Sequence, residues 1–150
     1  PAAELIDTLA ARLGQDRVLR AQLLESHTPE CVTRLVTAMH PPPRPTLAHP
    51  RAQAIDAPRP VILLDRPEPA EVIALWPEGP PTWLRWRGRE MKLVHAAGPE
   101  RITPEWWRFA AGLHAARHLR DYYRVTAEDG SCLWIFRREP QRTWFVHGLW

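Results

Sequence analysis

Residues 120–150 have the sequence RDYYRVTAEDGSCLWIFRREPQRTWFVHGLW. Two short runs rich in aromatic and branched residues, Asp121–Thr126 and Cys132–Arg137, lie on either side of Asp129-Gly130. An Asp-Gly pair between two such runs is a strong signal for a two-residue β-hairpin turn. A third run of the same kind, Thr143–His147, follows. The stretch therefore predicts antiparallel strands joined by tight turns.

The same pattern extends towards the N terminus, where short apolar runs alternate with proline and glycine turn signals. The further predicted strands are Val61–Asp65, Glu71–Trp76, Thr82–Arg87 and Glu90–His95. The signals that separate them are Pro67-Glu68-Pro69, Pro77-Glu78-Gly79-Pro80-Pro81 and Gly88. Short strands spaced this closely predict a mainly β fold, a small antiparallel barrel of an SH3-like or similar kind.

One helix is predicted to interrupt the sheet. Thr103 can cap its N terminus, Pro104 suits the first helical position and Glu105 suits the positive end of the helix dipole. We expect this helix to extend to about Leu119, although Gly112 weakens the pattern.

The N-terminal region predicts an arm over residues 1–38. Its leucines recur every four residues across Glu4–Leu13, which predicts a short amphipathic helix that ends at Gly14. The irregular run Val18–Leu24 predicts a short strand or extended segment. Residues 39–60 are rich in proline, which favours polyproline II and predicts a semi-rigid linker. Residues 61–150 would then form the barrel domain.

Composition limits the function classes. The net charge is only +3 and no long basic run exists, so charge alone does not indicate nucleic-acid binding. Cys31 and Cys132 are far apart in the sequence, which fits a reducing cytoplasm better than a disulfide framework. No apolar stretch is long enough to span a membrane, and the first residues do not form a signal peptide. We expect a soluble cytoplasmic protein that has no membrane contact.

Alternation along Thr82–Arg87 predicts two different faces. Leu84 and Trp86 would point into the core, whereas Trp83, Arg85 and Arg87 would point outwards. An outward strip of tryptophan and arginine can anchor a protein partner, and it can equally stack the bases and track the phosphates of DNA. In a purely structural alternative, Trp83 covers the barrel end and the arginines are simply solvated.

A second aromatic and cationic cluster, Arg101 with Trp107 and Arg108, lies at the start of the predicted helix. Glu100 and Glu105 lack a neighbouring base or nucleophile, so we expect them to form ion pairs with Arg101 or Arg108 and not to act in catalysis. The four-residue spacing of His114 and His118 is better explained by chance than by zinc binding. The sequence therefore predicts no enzyme activity, metal or cofactor.

Several blocks of the chain occur in the order found at the extreme C terminus of ImuB-like proteins, which are relatives of the Y-family DNA polymerases. The blocks that carry the resemblance are Gly98-Pro99-Glu100-Arg101-Ile102, Pro104-Glu105-Trp106-Trp107-Arg108, Arg120-Asp121-Tyr122-Tyr123-Arg124-Val125, Trp134-Ile135-Phe136-Arg137 and Trp144-Phe145-Val146-His147-Gly148-Leu149-Trp150. The segment Glu25-Ser26-His27-Thr28-Pro29-Glu30 resembles the region that precedes this domain in the same family.

The resemblance implies a part in a bacterial, damage-induced mutasome that carries out translesion synthesis. In that family an ImuB-like protein without polymerase activity bridges the sliding clamp, a RecA-related ImuA-like protein and an error-prone DnaE-type polymerase. The polymerase-like and clamp-binding segments would lie upstream of Pro1. We therefore expect a nucleoid-associated, non-catalytic interaction module whose binding residues are Trp83, Arg85, Arg87, Arg101, Trp107 and Arg108. The alternative is a module in which these residues hold single-stranded or template DNA.

Overall fold

The computed structural model describes residues 2–24, 26–39, 58–75, 79–105 and 118–150. The chain divides into two compact units, residues 1–54 and residues 55–150. No helix within the described ranges is long and apolar enough to cross a membrane.

The first unit contains a helix and a hairpin. Helix α1 spans Ala2–Leu13, and the Gly14 amide donates a hydrogen bond to the Ala10 carbonyl at 2.9 Å where the helix ends. Strand β1 spans Leu19–Leu23 and pairs antiparallel with β2, Thr33–Thr37. The helix and β1 confirm the interpretation of the sequence, whereas β2 was not predicted.

The second unit is a closed antiparallel barrel of six strands in sequential order. The strands are β3 Ile62–Ala74, β4 Pro81–Trp86, β5 Arg89–Ile102, β6 Arg120–Ala127, β7 Cys132–Arg138 and β8 Thr143–Leu149. Strand β3 closes the barrel by pairing with β8 as well as with β4. This architecture confirms the predicted small antiparallel β-barrel.

Two of the strands are longer than predicted. The sequence predicted separate strands on either side of Pro67-Glu68-Pro69, but β3 continues through these residues. Its pairing with β8 is interrupted between Leu63 and Glu68, so the residues that cannot complete the ladder occupy a bulge. The prediction of a turn there was wrong, because proline is tolerated at a bulge.

Strand β5 likewise passes its predicted end at His95 and continues to Ile102. Its pairing with β6 shifts between Ala97 and Glu100, around Gly98-Pro99. A Cβ atom at Gly98 would lie 2.6 Å from the Tyr122 carbonyl oxygen, and the Gly98 φ angle is +139°. Only glycine therefore allows β5 to approach β6 this closely at the bend.

The barrel interior is filled by apolar side chains from β4 to β8. Its buried members are Leu84, Met91, Leu93, Tyr123, Val125, Ala127, Leu133, Ile135 and Val146. These residues follow the alternation expected of strands that have one face towards a core. The helix predicted from Pro104 to about Leu119 falls mostly on residues 106–117, which lie outside the described residues.

Candidate functional site

The β4–β5 hairpin separates an inner from an outer face. Leu84 is completely buried, and Met91 lies directly opposite it in β5. Trp83 is partly exposed and Arg85 is exposed, as the predicted alternation requires. Trp86 is half-buried and packs against the interior cluster. The outer face of β3, β4 and β5 is therefore the surface on which Trp83 and Arg85 lie.

An apolar patch surrounds Trp83 on this face. Ile73 of β3 lies directly opposite Trp83, and Lys92 of β5 lies opposite Trp83 on the other side. Val94 follows two residues after Lys92, so it lies diagonal to Trp83. Ile73 is 59% exposed and Val94 is 60% exposed. We call Ile73, Trp83 and Val94 the Trp83 patch.

The cations around the Trp83 patch are paired with carboxylates. Arg85 Nη2 lies 2.5 Å from Glu71 Oε1, and the two residues are also opposite each other in the β3–β4 register. Lys92 Nζ lies 2.6 Å from Glu128 Oε1. Arg89, at the start of β5, lies 3.1 Å from Asp129. Each of these positive charges is thus neutralised by an adjacent side chain.

Arg87 is paired in the same way, through two hydrogen bonds to one carboxylate. Its Nε and Nη2 donate to Glu68 at 2.8 and 2.6 Å, and the indole Nε1 of Trp86 donates to Glu68 at 2.9 Å. The Arg87 guanidinium also lies 4.4 Å from the centroid of the Trp86 ring. Glu68 therefore connects β3 to the end of β4.

The pairing is reflected in the ionisation of these groups. The hydrogen bond from Arg87 holds the pKa of Glu68 below its ordinary value, with a smaller contribution from Trp86. The hydrogen bond to Glu71 raises the pKa of Arg85, and the bond to Glu128 raises the pKa of Lys92. These shifts keep Glu68, Arg85 and Lys92 ionised at neutral pH, so the face carries charges of both signs around an apolar centre.

Arg101 lies elsewhere on the barrel. It occupies the C-terminal end of β5, whereas β4 pairs with the N-terminal end of the same strand. Its Nε and Nη2 donate to Asp121 at 2.7 and 2.9 Å, and Arg137 donates to the same carboxylate at 3.3 Å. Asp121 is fully buried. These hydrogen bonds, that from Arg101 most strongly, lower the pKa of Asp121.

The remaining members of the predicted cluster, Trp107 and Arg108, lie outside the described residues. Glu100 does not form the predicted ion pair with Arg101. Arg59 instead donates two hydrogen bonds to it, at 2.6 and 2.5 Å. The part of the chain that the structure describes holds no group of three side chains placed to bind a metal ion.

The interpretation of the sequence missed a second aromatic layer, which lies on the outside of the barrel. Ile102, Tyr122, Trp134 and Phe136 form a buried cluster distinct from the interior one. Tyr122 and Tyr123 are adjacent in β6 and both are buried, so this strand is buried on its two faces. The signal was present in the consecutive apolar residues Leu133–Phe136, since continuous apolar runs are typical of strands covered on both sides.

Comparison with known proteins finds two relatives, and both have the same name. The chain is 43% identical over 155 aligned residues to Protein ImuB of Caulobacter vibrioides, both in strain NA1000 / CB15N and in strain ATCC 19089 / CIP 103742 / CB 15. The alignment covers 98% of the chain but 32% of each relative, at the relative's C-terminal end. No family model and no solved structure matches the chain.

Proposed function

Since this chain is related to the C-terminal region of ImuB-like proteins, we propose that it is a non-catalytic protein-interaction module of damage-induced mutagenesis and translesion synthesis. It binds its partner through the outer face of β3–β5, with the Trp83 patch at the centre. The chain spans about a third of the length of the curated relatives that it matches, so this role concerns one module of a larger protein.

The exposed apolar centre of this face is the observation that carries the proposal. Ile73, Trp83 and Val94 present neighbouring apolar side chains to solvent, and Arg85 and Lys92 surround them with paired charges. Protein interfaces combine an apolar or aromatic centre with a polar rim in the same way. Tryptophan and arginine are also the residue types that most often dominate binding energy.

The charge distribution favours a protein partner over DNA at this face. Phosphate binding requires cations whose charge is available to the ligand. Arg85, Arg87 and Lys92 each have a carboxylate within 2.6 Å, so a nucleic acid would have to compete with Glu71, Glu68 and Glu128. Exposed ion pairs add little stability, but these carboxylates cancel the positive potential that would attract a phosphate backbone.

The expected partners are a RecA-related ImuA-like protein and an error-prone DnaE-type polymerase. The sliding clamp would be bound through sequence upstream of this chain. In this arrangement Trp83, Arg85 and Arg87 dock the partner, while Arg101 stabilises the barrel through Asp121.

A direct binding assay tests this function. The 150-residue chain is immobilised and exposed in turn to the RecA-related protein, the DnaE-type polymerase and a labelled single-stranded oligonucleotide. We expect one of the two proteins to bind with an affinity that changes only gently between low and high salt, because the contact is mainly apolar. Failure of both proteins to bind, with the chain folded, would contradict the proposal.

A further inference from the structure

The outer face of β6–β8 carries arginines that lie on aromatic rings. The guanidinium of Arg124 lies 4.9 Å from the centroid of Trp150, that of Arg138 lies 4.8 Å from Phe145, and that of Arg120 lies 4.8 Å from Phe136. We call Arg120, Arg124 and Arg138 the arginine face. Arg120 also donates from Nη1 to the Tyr122 hydroxyl at 3.0 Å. A guanidinium stacked on a ring keeps its N–H donors in the plane of the group, where those that are not used within the fold can contact an anion.

The strand register places like charges next to each other on this face. Arg120 and Arg138 lie directly opposite each other in the β6–β7 ladder. Like charges directly opposite each other in a sheet are destabilising by themselves, so the register concentrates positive charge at this end of the face. Arg124 follows Arg120 by four residues on the same strand, a distance of about 13 Å at the usual rise per residue. A single small anion cannot contact both ends of this face, whereas a polyanion can.

The arginine face differs from the Trp83 patch in the partners of its cations. Among the described residues, Arg124 contacts the Cys132 sulfur at 3.4 Å and the Trp150 ring, and neither is a carboxylate. Arg138 contacts the Phe145 ring, and its buried Nε–H has no hydrogen-bond acceptor among these residues. Within the part of the chain that the structure describes, the positive charges of Arg124 and Arg138 are therefore not paired with a carboxylate.

From this geometry we propose that the arginine face is a second binding site, which takes the phosphate backbone of a single-stranded nucleic acid. Its arginine forks match phosphate oxygens. The guanidinium groups lie over the partly exposed rings of Trp150 and Phe145, and nucleic-acid bases stack on arginine planes as well as on aromatic rings. An acidic peptide would bind the arginine charges but would not stack on the rings. The combination of arginines and partly exposed rings therefore favours a nucleic acid. The site is on a different part of the barrel from the Trp83 patch and does not depend on the protein-docking role.

Fluorescence polarisation of a labelled oligothymidylate in low salt tests the site. We expect the wild-type chain to bind it, and the double variant Arg124→Gln/Arg138→Gln to bind about tenfold or more weakly. Because each phosphate contact on a single strand adds about −0.7 to the slope of log K against log salt, the variant slope should be shallower by about 1.4.

The matched control is Arg85→Gln/Arg87→Gln, which removes the same charge from the face where the cations are paired. We expect it to bind the oligothymidylate within about twofold of wild type. An equal loss in this control, or no binding by the wild-type chain, would overturn the proposal. Displacement of the oligothymidylate by polyglutamate of equal charge would instead identify an acidic protein as the ligand and would likewise overturn it.

A measurement on the wild-type chain covers the case in which the double variant does not fold. Addition of the oligothymidylate should shift the Nε–Hε NMR signals of Arg124 and Arg138 and leave those of Arg85 and Arg87 unchanged. The opposite pattern would contradict the assignment of the site.

Discussion

Trp83 and Trp86 lie three residues apart in β4 and have different surroundings. Trp83 is partly exposed beside Ile73, whereas Trp86 packs against the interior cluster and donates a hydrogen bond to Glu68. Alternation along a strand predicts this difference from sequence alone. We therefore expect the two tryptophans to contribute differently to the stability of the barrel.

The first prediction compares alanine substitutions at these positions by thermal denaturation. Trp86→Ala should destabilise the barrel by about 2 kcal/mol, less than the 3–5 kcal/mol typical of a fully buried tryptophan. Trp83→Ala should cost less than about 1 kcal/mol, because little of its packing is with the core. An equal loss of stability in both variants would show that Trp83 is structural.

The second prediction concerns the buried carboxylate of Asp121. Removal of the charge in Asp121→Asn weakens the hydrogen bonds from Arg101 and Arg137 and leaves Glu139 as the ion-pair partner of Arg137, so the variant should lose about 2 kcal/mol of stability at neutral pH. The pKa of Asp121 is lowered in the folded chain, so its contribution is present above the ordinary pKa of about 3.9 and is lost as the pH falls through the lower folded value. The difference in the free energy of unfolding between wild type and variant should consequently shrink below about pH 4. Urea denaturation across this pH range measures it, and a difference that stays constant with pH would contradict the assignment.

At the residue scale, the sequence predicted which face a side chain occupies but not its partner. The outward positions of Trp83 and Arg85 follow from alternation. The pairing of Arg85 with Glu71, or of Arg101 with Asp121, depends on the cross-strand register, which requires the topology. Glu100 was expected to pair with Arg101 or Arg108. It pairs with Arg59 and not with Arg101, because neighbours in sequence point to opposite faces of a strand, and Arg108 lies outside the described residues.

At the element scale, the proline and glycine turn signals correctly predicted where the backbone reverses direction. They also predicted a turn where a strand only bulges. The chain reverses at Asp129-Gly130 between β6 and β7 as predicted, although the connection from Glu128 to Ser131 is longer than the predicted two residues. Pro67-Glu68-Pro69 also appeared to mark a turn, yet β3 bends through these residues and continues. Strand β5 likewise continues past its predicted end at His95, through the bend at Gly98-Pro99. Long bent strands allow a sheet of six strands to close into a barrel, because each can pair with different neighbours along its length.

The third prediction tests the hairpin turn. Gly130 has a φ angle of +84° in a tight turn in which the Ser131 amide donates to the Asp129 carboxylate. Gly130→Ala should destabilise the barrel by about 1 kcal/mol, since a side chain strains this conformation. Gly14→Ala, at a φ of +94° in the first unit, is the matched control and should leave the barrel melting temperature unchanged. Equal shifts in both variants would indicate that the units unfold together.

At the scale of the whole molecule, the barrel extends slightly further towards the N terminus than the predicted domain. Arg59, assigned to the linker from the sequence, pairs with Glu100 and lies 5.0 Å from the Trp134 ring centroid. A Cβ atom on Gly148 would lie 2.4 Å from the Pro60 side chain, so Pro60 packs directly against β8. Arg59 and Pro60 therefore pack as part of the barrel.

The fourth prediction follows from these contacts. A fragment of residues 55–150, the second compact unit, should melt cooperatively without the first unit. A fragment that begins at residue 61 should also fold, but with a stability lower by about 1 kcal/mol, because it lacks the contacts of Arg59 and Pro60. Calorimetry distinguishes the two fragments. A non-cooperative melt of the longer fragment would show that the first unit forms part of the same core.

The family resemblance in the sequence predicted the relationship to ImuB-like proteins, and the comparisons confirm it over 98% of the chain. The resemblance could not identify the proposed binding face, because the exposure of Ile73 beside Trp83 and the pairing of Arg85 and Arg87 with carboxylates depend on how β3 pairs with β4. Of the predicted site residues, Trp83 and Arg85 lie on the outer face of β4. Arg87 follows the end of β4, with its guanidinium over the Trp86 ring, and Arg101 lies at the other end of β5.

Partner binding by surface variants of the barrel tests the central claim most directly. Trp83→Ala and Ile73→Asp remove the centre of the Trp83 patch, and Val61→Asp places a charge at a position that is 81% exposed outside it. With melting curves to confirm folding, we predict that the first two each weaken binding of the RecA-related or DnaE-type protein by about 2 kcal/mol, roughly 30-fold, and that Val61→Asp has no effect. Folded Trp83→Ala and Ile73→Asp variants that bind as tightly as wild type would contradict the account.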